Sequence, residues 1–214
     1  EVTDTEARKV PGSECEYSFN GQFTIENLAS ETLSCQLMVY ANCIDNDVVF
    51  NHDVQYIPMW GVKQTTLFME KGELTQLEEP IYLLRSMAKV EVKLADDIAD
   101  DFELTSVLVD KYNTTGYVLP SYQTLVDTEN MDSELVFNPN ASLAEEPLLF
   151  AKVENEDAFY VYLPEYDNAN PATLSVVIDG KPYSIEFKNY VDGKATGENY
   201  NIVRNHIYQY TITS

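Results

Sequence analysis

Cationic side chains are scarce in this chain: 13 lysines and arginines face 36 aspartates and glutamates, for a formal net charge of −23. Such an imbalance repels phosphate backbones and anionic lipid surfaces. Nucleic acid is therefore excluded as a partner, and direct binding to an anionic membrane surface is not expected. The glycines number eight and lie scattered, forming neither GxGxxG nor a Walker sequence, so no phosphate-cradling loop is present. No run of about 18 apolar residues is there to span a bilayer as a helix. Glu1 follows no charged and apolar leader, which places any signal peptide outside this chain. Sustained 3.6-residue periodicity is missing as well, and only Asp96 to Phe102 has the makings of a helical turn.

The residues that usually carry chemistry are few or badly spaced. Cys15, Cys35 and Cys43 allow at most one internal disulfide and form no CxxC or CxxH pair, so zinc is not expected. If Leu33 to Ala41 is extended, Cys35 and Cys43 stand about 26 Å apart at roughly 3.3 Å per residue, leaving Cys15 with either partner as the more feasible pair. Buried, reduced thiols are the simpler expectation. The two histidines, His52 and His206, have no recognisable nucleophile or orienting acid beside them, so no catalytic residue is assigned. Glu145, Glu154, Glu165 and Asp167 could be paired on paper into an acid-site hydrolase, but 36 acids make accidental neighbours common. Asp96, Asp97, Asp100 and Asp101, and also Asp45-Asn46-Asp47, offer hard oxygen ligands yet lack the glycine and glutamate of a calcium loop. The chain is thus expected to be no enzyme and to need no metal or cofactor.

What is abundant is alternation. Tyr17, Phe19, Gly21, Phe23 and Ile25 occupy every second position, and Phe159, Val161 and Leu163 repeat the pattern of a half-buried strand. Further strands are predicted at Leu33 to Ala41, Thr65 to Met69, Ile81 to Leu94, Phe102 to Lys111, Leu148 to Val153, Leu174 to Ile178, Tyr183 to Phe187 and Ile202 to Ile212. Asp179-Gly180 suits a tight hairpin, with Pro182 weakening the start of the return strand. Many short strands without intervening helices predict an all-β fold of antiparallel β-sandwiches. Ile81 to Leu94 is the longest extended run, and a boundary near residue 86 gives two modules, residues 1–86 and 87–214, the first short for a complete sandwich.

Three stretches carry a more specific signal: Tyr56-Ile57-Pro58-Met59-Trp60-Gly61, then Leu83-Leu84-Arg85-Ser86-Met87-Ala88-Lys89-Val90-Glu91-Val92, then Asn201 to Thr213 at the close of the chain. They resemble segments of the Bacteroidetes fimbrillin superfamily, the subunits of type V pili; the stretch from Leu83 to Val92 resembles the passage between domains and the stretch from Asn201 to Thr213 the closing strand. The resemblance implies two transthyretin-like sandwiches in a structural fimbrial subunit, or an accessory or tip subunit, placed at the cell surface in an outer-membrane fimbria and mediating adhesion. It further implies a lipidated precursor, cleavage after an arginine that removes the first strand, and a donor strand from another subunit, like or unlike, that fills the groove. That is β-augmentation, in which main-chain hydrogen bonds supply affinity and alternate side chains fill pockets. Host or bacterial surface ligands would be the adhesive partners.

Arg8, in Ala7-Arg8-Lys9-Val10, is the lone arginine of the first 84 residues and the candidate for processing; its bland alternative is a solvated charge near a terminus. Two features depart from the family pattern: few residues precede Cys35 for the opening strands, and four follow Tyr210, too few for a long donor strand. The first points to a removed amino-terminal part or a reduced first domain, the second to a tip, anchor or accessory subunit or to a truncated chain. An alternative function, a glycan-binding sandwich that does not polymerise, would use Trp60, Tyr112, Tyr117 and Tyr122 to stack on sugar rings, although tyrosine is equally a favoured strand residue and Trp60 suits a turn packed on the core. Asn113-Thr114-Thr115 and Asn140-Ala141-Ser142 match the N-glycosylation pattern, which matters only in a cell that performs it.

Overall fold

The computed structural model describes residues 7–19, 31–43, 49–70, 73, 75–77, 79–119, 142–154 and 156–213. Its strands, in chain order, are β1 (Arg8–Lys9), β2 (Tyr17–Ser18), β3 (Thr32–Ala41), β4 (Val49–Asn51), β5 (Met59–Phe68), β6 (Leu84–Arg85), β7 (Ala88–Leu94), β8 (Leu104–Val109) and β9 (Thr115–Tyr117). They continue as β10 (Leu148–Leu149), β11 (Ala151–Lys152), β12 (Ala158–Leu163), β13 (Thr173–Ile178), β14 (Lys181–Glu186), β15 (Asn189–Val191), β16 (Lys194–Thr196) and β17 (Ile207–Ile212). The described residues contain no helix; Ala95 to Phe102 forms consecutive turns closed by Ala99 N to Ala95 O at 3.1 Å and Phe102 N to Ile98 O at 3.1 Å. The fold is all-β, as the alternation predicts.

The chain divides into two compact units, Glu1–Ser34 with Thr66–Leu77, and Cys35–Thr65 with Glu78–Ser214. In the first, β1 and β2 pair antiparallel, Met69 N donates to Glu31 O at 2.7 Å, and Ser34 Oγ meets Thr66 Oγ1 at 3.1 Å. The predicted strand from Tyr17 to Ile25 is realised as β2 at its start, which ends at Ser18 before Phe19, and residues 20–25 lie outside the described residues.

The second unit is built on a sandwich. One sheet has the order β11-β12-β7-β17 and the other β10-β8-β13-β14. Alternation explains the burial: Ala88, Val90, Val92 and Leu94 of β7 point inward, and Lys89, Glu91 and Lys93 point out. Val107, Val109, Leu174 and Val176 from the other sheet join them, together with Phe159, Leu163, Phe187 and Ile202, in one buried cluster. Each aliphatic side chain removed from water there stabilises the fold by about 1.5–3 kcal/mol. A second cluster gathers Phe50, Trp60, Val62, Met87 and Val118. At its rim β4 pairs with β9, placing Phe50 opposite Gly116; a Cβ on Gly116 would come within 2.4 Å of the Phe50 ring and would have to displace it.

Three expectations are corrected by this architecture. Ile81 to Leu94 is not one strand but two, because β6 pairs with β5 and β7 with β12 and β17; the chain changes sheets at Ser86, whose N donates to Pro58 O at 2.9 Å. Leu148 to Val153 divides likewise, β10 joining β8 and β11 joining β12, with Phe150 buried at the corner. The closing strand starts at Ile207 rather than Ile202, since Asn205 takes φ +60° and turns the backbone before it can extend. One pairing also differs in direction: β17 runs parallel to β7, Ile207 against Lys89 through to Ile212 against Leu94, while every other strand pairing described is antiparallel. Remote strands need no tight hairpin, so either direction is open to them.

Candidate functional site

The parallel pair β7–β17 is where the most specific side chains of the second unit converge. Ile202 is bridged to Tyr166, the Tyr208 hydroxyl donates to Asn201 O at 2.6 Å and accepts from Val203 N at 3.0 Å, and the chain then turns through Arg204 and Asn205. Arg204 is 3% exposed. Its Nη1 donates to Val118 O at 3.0 Å, and its Nη2 to Tyr117 O at 3.2 Å and to Glu165 Oε2 at 2.9 Å. A planar guanidinium fork can serve two backbone carbonyls and a carboxylate together, which a lysine ammonium on a flexible stem does poorly. Glu165, itself 6% exposed, is also gripped through its main chain, where Asn113 Nδ2 donates to its carbonyl.

Asn205 completes the junction. Its positive φ suits asparagine, its backbone N donates to Met87 O at 3.0 Å, and its Oδ1 accepts from Arg85 N at 3.2 Å. His206 O then accepts from Lys89 N at 2.9 Å, which starts the ladder that Ala95 N closes on Ile212 O at 2.8 Å. These two ends fix the parity of β17: His206, Tyr208, Tyr210 and Ile212 direct their backbone groups at β7. Ile207, Gln209 and Thr211 direct theirs away, and β17 ends its sheet, with no further strand beside it among the described residues.

Side chains near that edge are arranged in two layers. Inward, Tyr208 and Tyr210 meet Phe187 edge-on at 6.3 and 5.9 Å, and Tyr190 meets Tyr210 at 6.2 Å. Burial raises the Tyr208 phenol and pushes that of Tyr210 well above the usual tyrosine range, so both stay neutral. Outward, Lys89 Nζ contacts Glu91 Oε2 at 2.5 Å and lies 5.4 Å from the centre of the Tyr160 ring, while Gln209 Nε2 donates to Glu91 Oε1 at 2.5 Å. The bond to Glu91 raises the Lys89 pKa; the bonds from Lys89 and then Gln209 hold the Glu91 carboxyl below the ordinary glutamate range.

The residues singled out from sequence do not assemble into a site. Arg8 is exposed in β1, with Ser18 Oγ donating to its carbonyl at 3.4 Å. Trp60 is 1% exposed and belongs to the second core cluster, so its ring offers no face to a sugar. Tyr112, 7% exposed, packs edge-on against His52 at 5.0 Å in the other cluster's surroundings. Tyr117 is exposed and lends its carbonyl to Arg204; Tyr122 lies outside the described residues. Asn113 is buried with its amide engaged, which removes it as a glycan acceptor, and Asn140-Ala141 lies outside the described residues.

Of the carboxylates, Glu165 is bound to Arg204, whereas Asp167 Oδ1 accepts from Ala169 N at 3.1 Å. Among the described residues no three His, Cys, Asp or Glu side chains are grouped so as to hold a metal; Asp96, Asp97, Asp100 and Asp101 belong to these residues, and Asp45-Asn46-Asp47 does not. The cysteines are unpaired, with Cys15 exposed and Cys35 and Cys43 half-buried, so neither disulfide pairing forms and the thiols are reduced without being fully buried. No helix among the described residues is long and apolar enough to cross a membrane. Arg204-Asn205-His206 at the head of an alternating strand is legible in sequence as a structural group, whereas its role is not, because the partners of Arg204 lie 39, 86 and 87 residues away.

No protein-family model and no curated protein matches the chain. Among solved structures it is similar to a proposed cell adhesion protein of Bacteroides uniformis ATCC 8492, with TM-score 0.47, 10% identity, 84% of this chain covered and 68% of that one. It is also similar to a proposed cell adhesion protein of Bacteroides fragilis NCTC 9343, with TM-score 0.35 and 12% identity over 72% of this chain, which spans about half, 51%, of that protein.

Proposed function

We propose that the chain is a structural, non-enzymatic subunit of a cell-surface fimbria, in a stalk, tip or accessory position, that joins neighbouring subunits by strand addition and serves adhesion. One observation carries this reading: the three stretches that resemble fimbrillin segments, remote in sequence, meet at one junction. Trp60 pairs with Leu84 and Met59 with Arg85 between the first and second stretches. Ser86 N binds Pro58 O, Asn205 N binds Met87 O, and β17 lies on β7, so the third stretch is locked to the second. A closing strand seated on the strand that follows a linker is an economical way to join successive sandwiches while leaving an edge for a neighbour.

Strand addition is tested by treating the purified protein with an arginine-specific protease and looking for SDS-resistant ladders on gels and filaments by electron microscopy. Arg8 and Arg85 are exposed and Arg204 is buried, so Arg8→Lys is the control that separates amino-terminal processing from a cut at Arg85. Ladders that need cleavage and vanish in Arg8→Lys support the reading. A monomer before and after cleavage refutes self-assembly.

A further inference from the structure

Two oxygens beside the Arg204 junction are left without donors. Glu165 Oε1 and Asn113 Oδ1 are buried and have no hydrogen-bond partner among the described residues, and the residues that carry them are 6% and 3% exposed. Buried polar atoms of folded proteins are almost always paired, so each orphan calls for a physical reason. Reversing the Asn113 amide is no remedy: its Nδ2 faces the carbonyl oxygen of Glu165, which can only accept, so Oδ1 must point elsewhere. The neighbouring donors are engaged already, Arg204 Nη1 and Ser86 Oγ on Val118 O, both at 3.0 Å, and Arg204 Nη2 on Tyr117 O and Glu165 Oε2. Backbone bridges hold both side chains in place, since Asn113 is bridged to Leu143 and Tyr166, the residue after Glu165, to Ile202.

We infer that this corner is an internal hydration site, in which ordered water donates to Glu165 Oε1 and to Asn113 Oδ1 and ties the chain ahead of β9 to the chain after β12. Two acceptors require an occupant that donates twice, and water is the smallest that does. A metal or ammonium cation would also satisfy the oxygens, but the Arg204 guanidinium, 2.9 Å from Glu165 Oε2, already neutralises the carboxylate and repels a second positive charge. An oxygen left bare would keep the whole penalty of its removal from water. Both oxygens lie around one residue, because the Asn113 amide rests on the Glu165 main chain and Oε1 belongs to the Glu165 side chain; one water, or two in contact, joins them. The closing strand is thus seated on a hydrated ion pair rather than a dry one, and this holds whether or not the chain assembles into a fimbria.

The test is a crystal structure of the intact chain at a resolution that shows ordered water, grown once from sodium chloride and once from rubidium chloride, together with oxygen-17 relaxation dispersion in solution. Each oxygen should have a peak of water's height at about 2.6–3.0 Å, the same in both salts. In solution the protein should hold at least one long-lived water that the paired variant Glu165→Leu/Arg204→Met lacks, because that variant removes the carboxylate acceptor and its counter-charge together. Should the paired variant not fold, the crystals of the unaltered chain decide by themselves. Three outcomes overturn the proposal: a protein donor on either oxygen, no water peak beside one of them, or an anomalous rubidium peak at the site, which would make a cation the occupant.

Discussion

Replacing Arg204 by alanine tests the junction that seats the closing strand. The guanidinium makes one contact with a buried carboxylate and two with backbone carbonyls at 2.9–3.2 Å, and both side chains of the ion pair are at most 6% exposed. Truncation strands the Glu165 carboxylate, whose Oε1 already has no hydrogen-bond partner among the described residues, so the charge would then lie buried with neither oxygen bonded to a side chain. Removing one member of a buried ion pair destabilises by about 3–5 kcal/mol, against a total of about 5–15 kcal/mol for an ordinary domain. Arg204→Ala should therefore lower the urea midpoint steeply or prevent folding of the second unit.

The assay has a built-in reporter, because the chain has one tryptophan and Trp60 is 1% exposed in the cluster that contains Val118. Its fluorescence follows urea unfolding, and an unchanged slope keeps the comparison two-state. Glu165→Leu combined with Arg204→Met should recover most of the loss, since a well-packed apolar pair often equals a buried ion pair. A loss below about 1 kcal/mol for Arg204→Ala would refute the reasoning, because that is the range of an exposed pair.

Three further outcomes follow from the same geometry. Gly61→Ala places a Cβ 2.4 Å from the Tyr82 carbonyl oxygen, and since backbone must move, a loss of about 1–3 kcal/mol with a red shift of Trp60 emission is expected in thermal melts. Glu91→Gln should lower Tm by a constant amount near neutral pH: the depressed Glu91 pKa stabilises above the ordinary glutamate value and the raised Lys89 pKa stabilises below the ordinary lysine value, so the difference from wild type should vanish as pH falls through the depressed carboxyl value. A difference that grows in acid would sink that sign. With a thiol reagent at neutral pH, exposed Cys15 should react well before Cys43, whose thiol pKa burial raises and whose Sγ faces Ala41 O at 3.4 Å; faster labelling of Cys43 would contradict the placement.

How much is legible in the sequence depends on whether the determinant is local. Alternation locates β3, β8, β12 and β13 to within a residue or two, because burial on one face of a strand writes itself every second position. Asp179-Gly180 announces its hairpin through the positive φ that both residues adopt, 49° and 73°. The hairpin β15–β16 is not legible although Asp192 and Gly193 turn in the same way, since Tyr190 and Ala195 give too short an apolar pattern on either side. Breaks inside long apolar runs are invisible, because at Ser86 and Phe150 the chain keeps its extended hydrophobic character while passing from one sheet to another.

The candidate site is illegible for the opposite reason. Exposed aromatics and histidines draw attention in a sequence, yet Trp60 and Tyr112 are consumed by the core and His52 by a ring contact and the Thr114 carbonyl. The residue with the greatest structural consequence, Arg204, is one of 13 cations and differs from the others only in what the fold brings to it: the carbonyls of Tyr117, the last residue of β9, and of Val118, and the carboxylate of Glu165. The state of the closing strand rests on the same kind of non-local fact. Whether Ile-Tyr-Gln-Tyr-Thr-Ile is a core strand or an edge is decided by its pairing, which among the described residues is with β7 alone, and the register of that pairing turns the backbone groups of Ile207, Gln209 and Thr211 away from β7. A slip of one residue would turn Tyr208 and Tyr210 outward and pull both rings from the Phe187 layer, so the Arg204–Asn205 turn, by fixing where β17 begins, also fixes which of its backbone groups face β7.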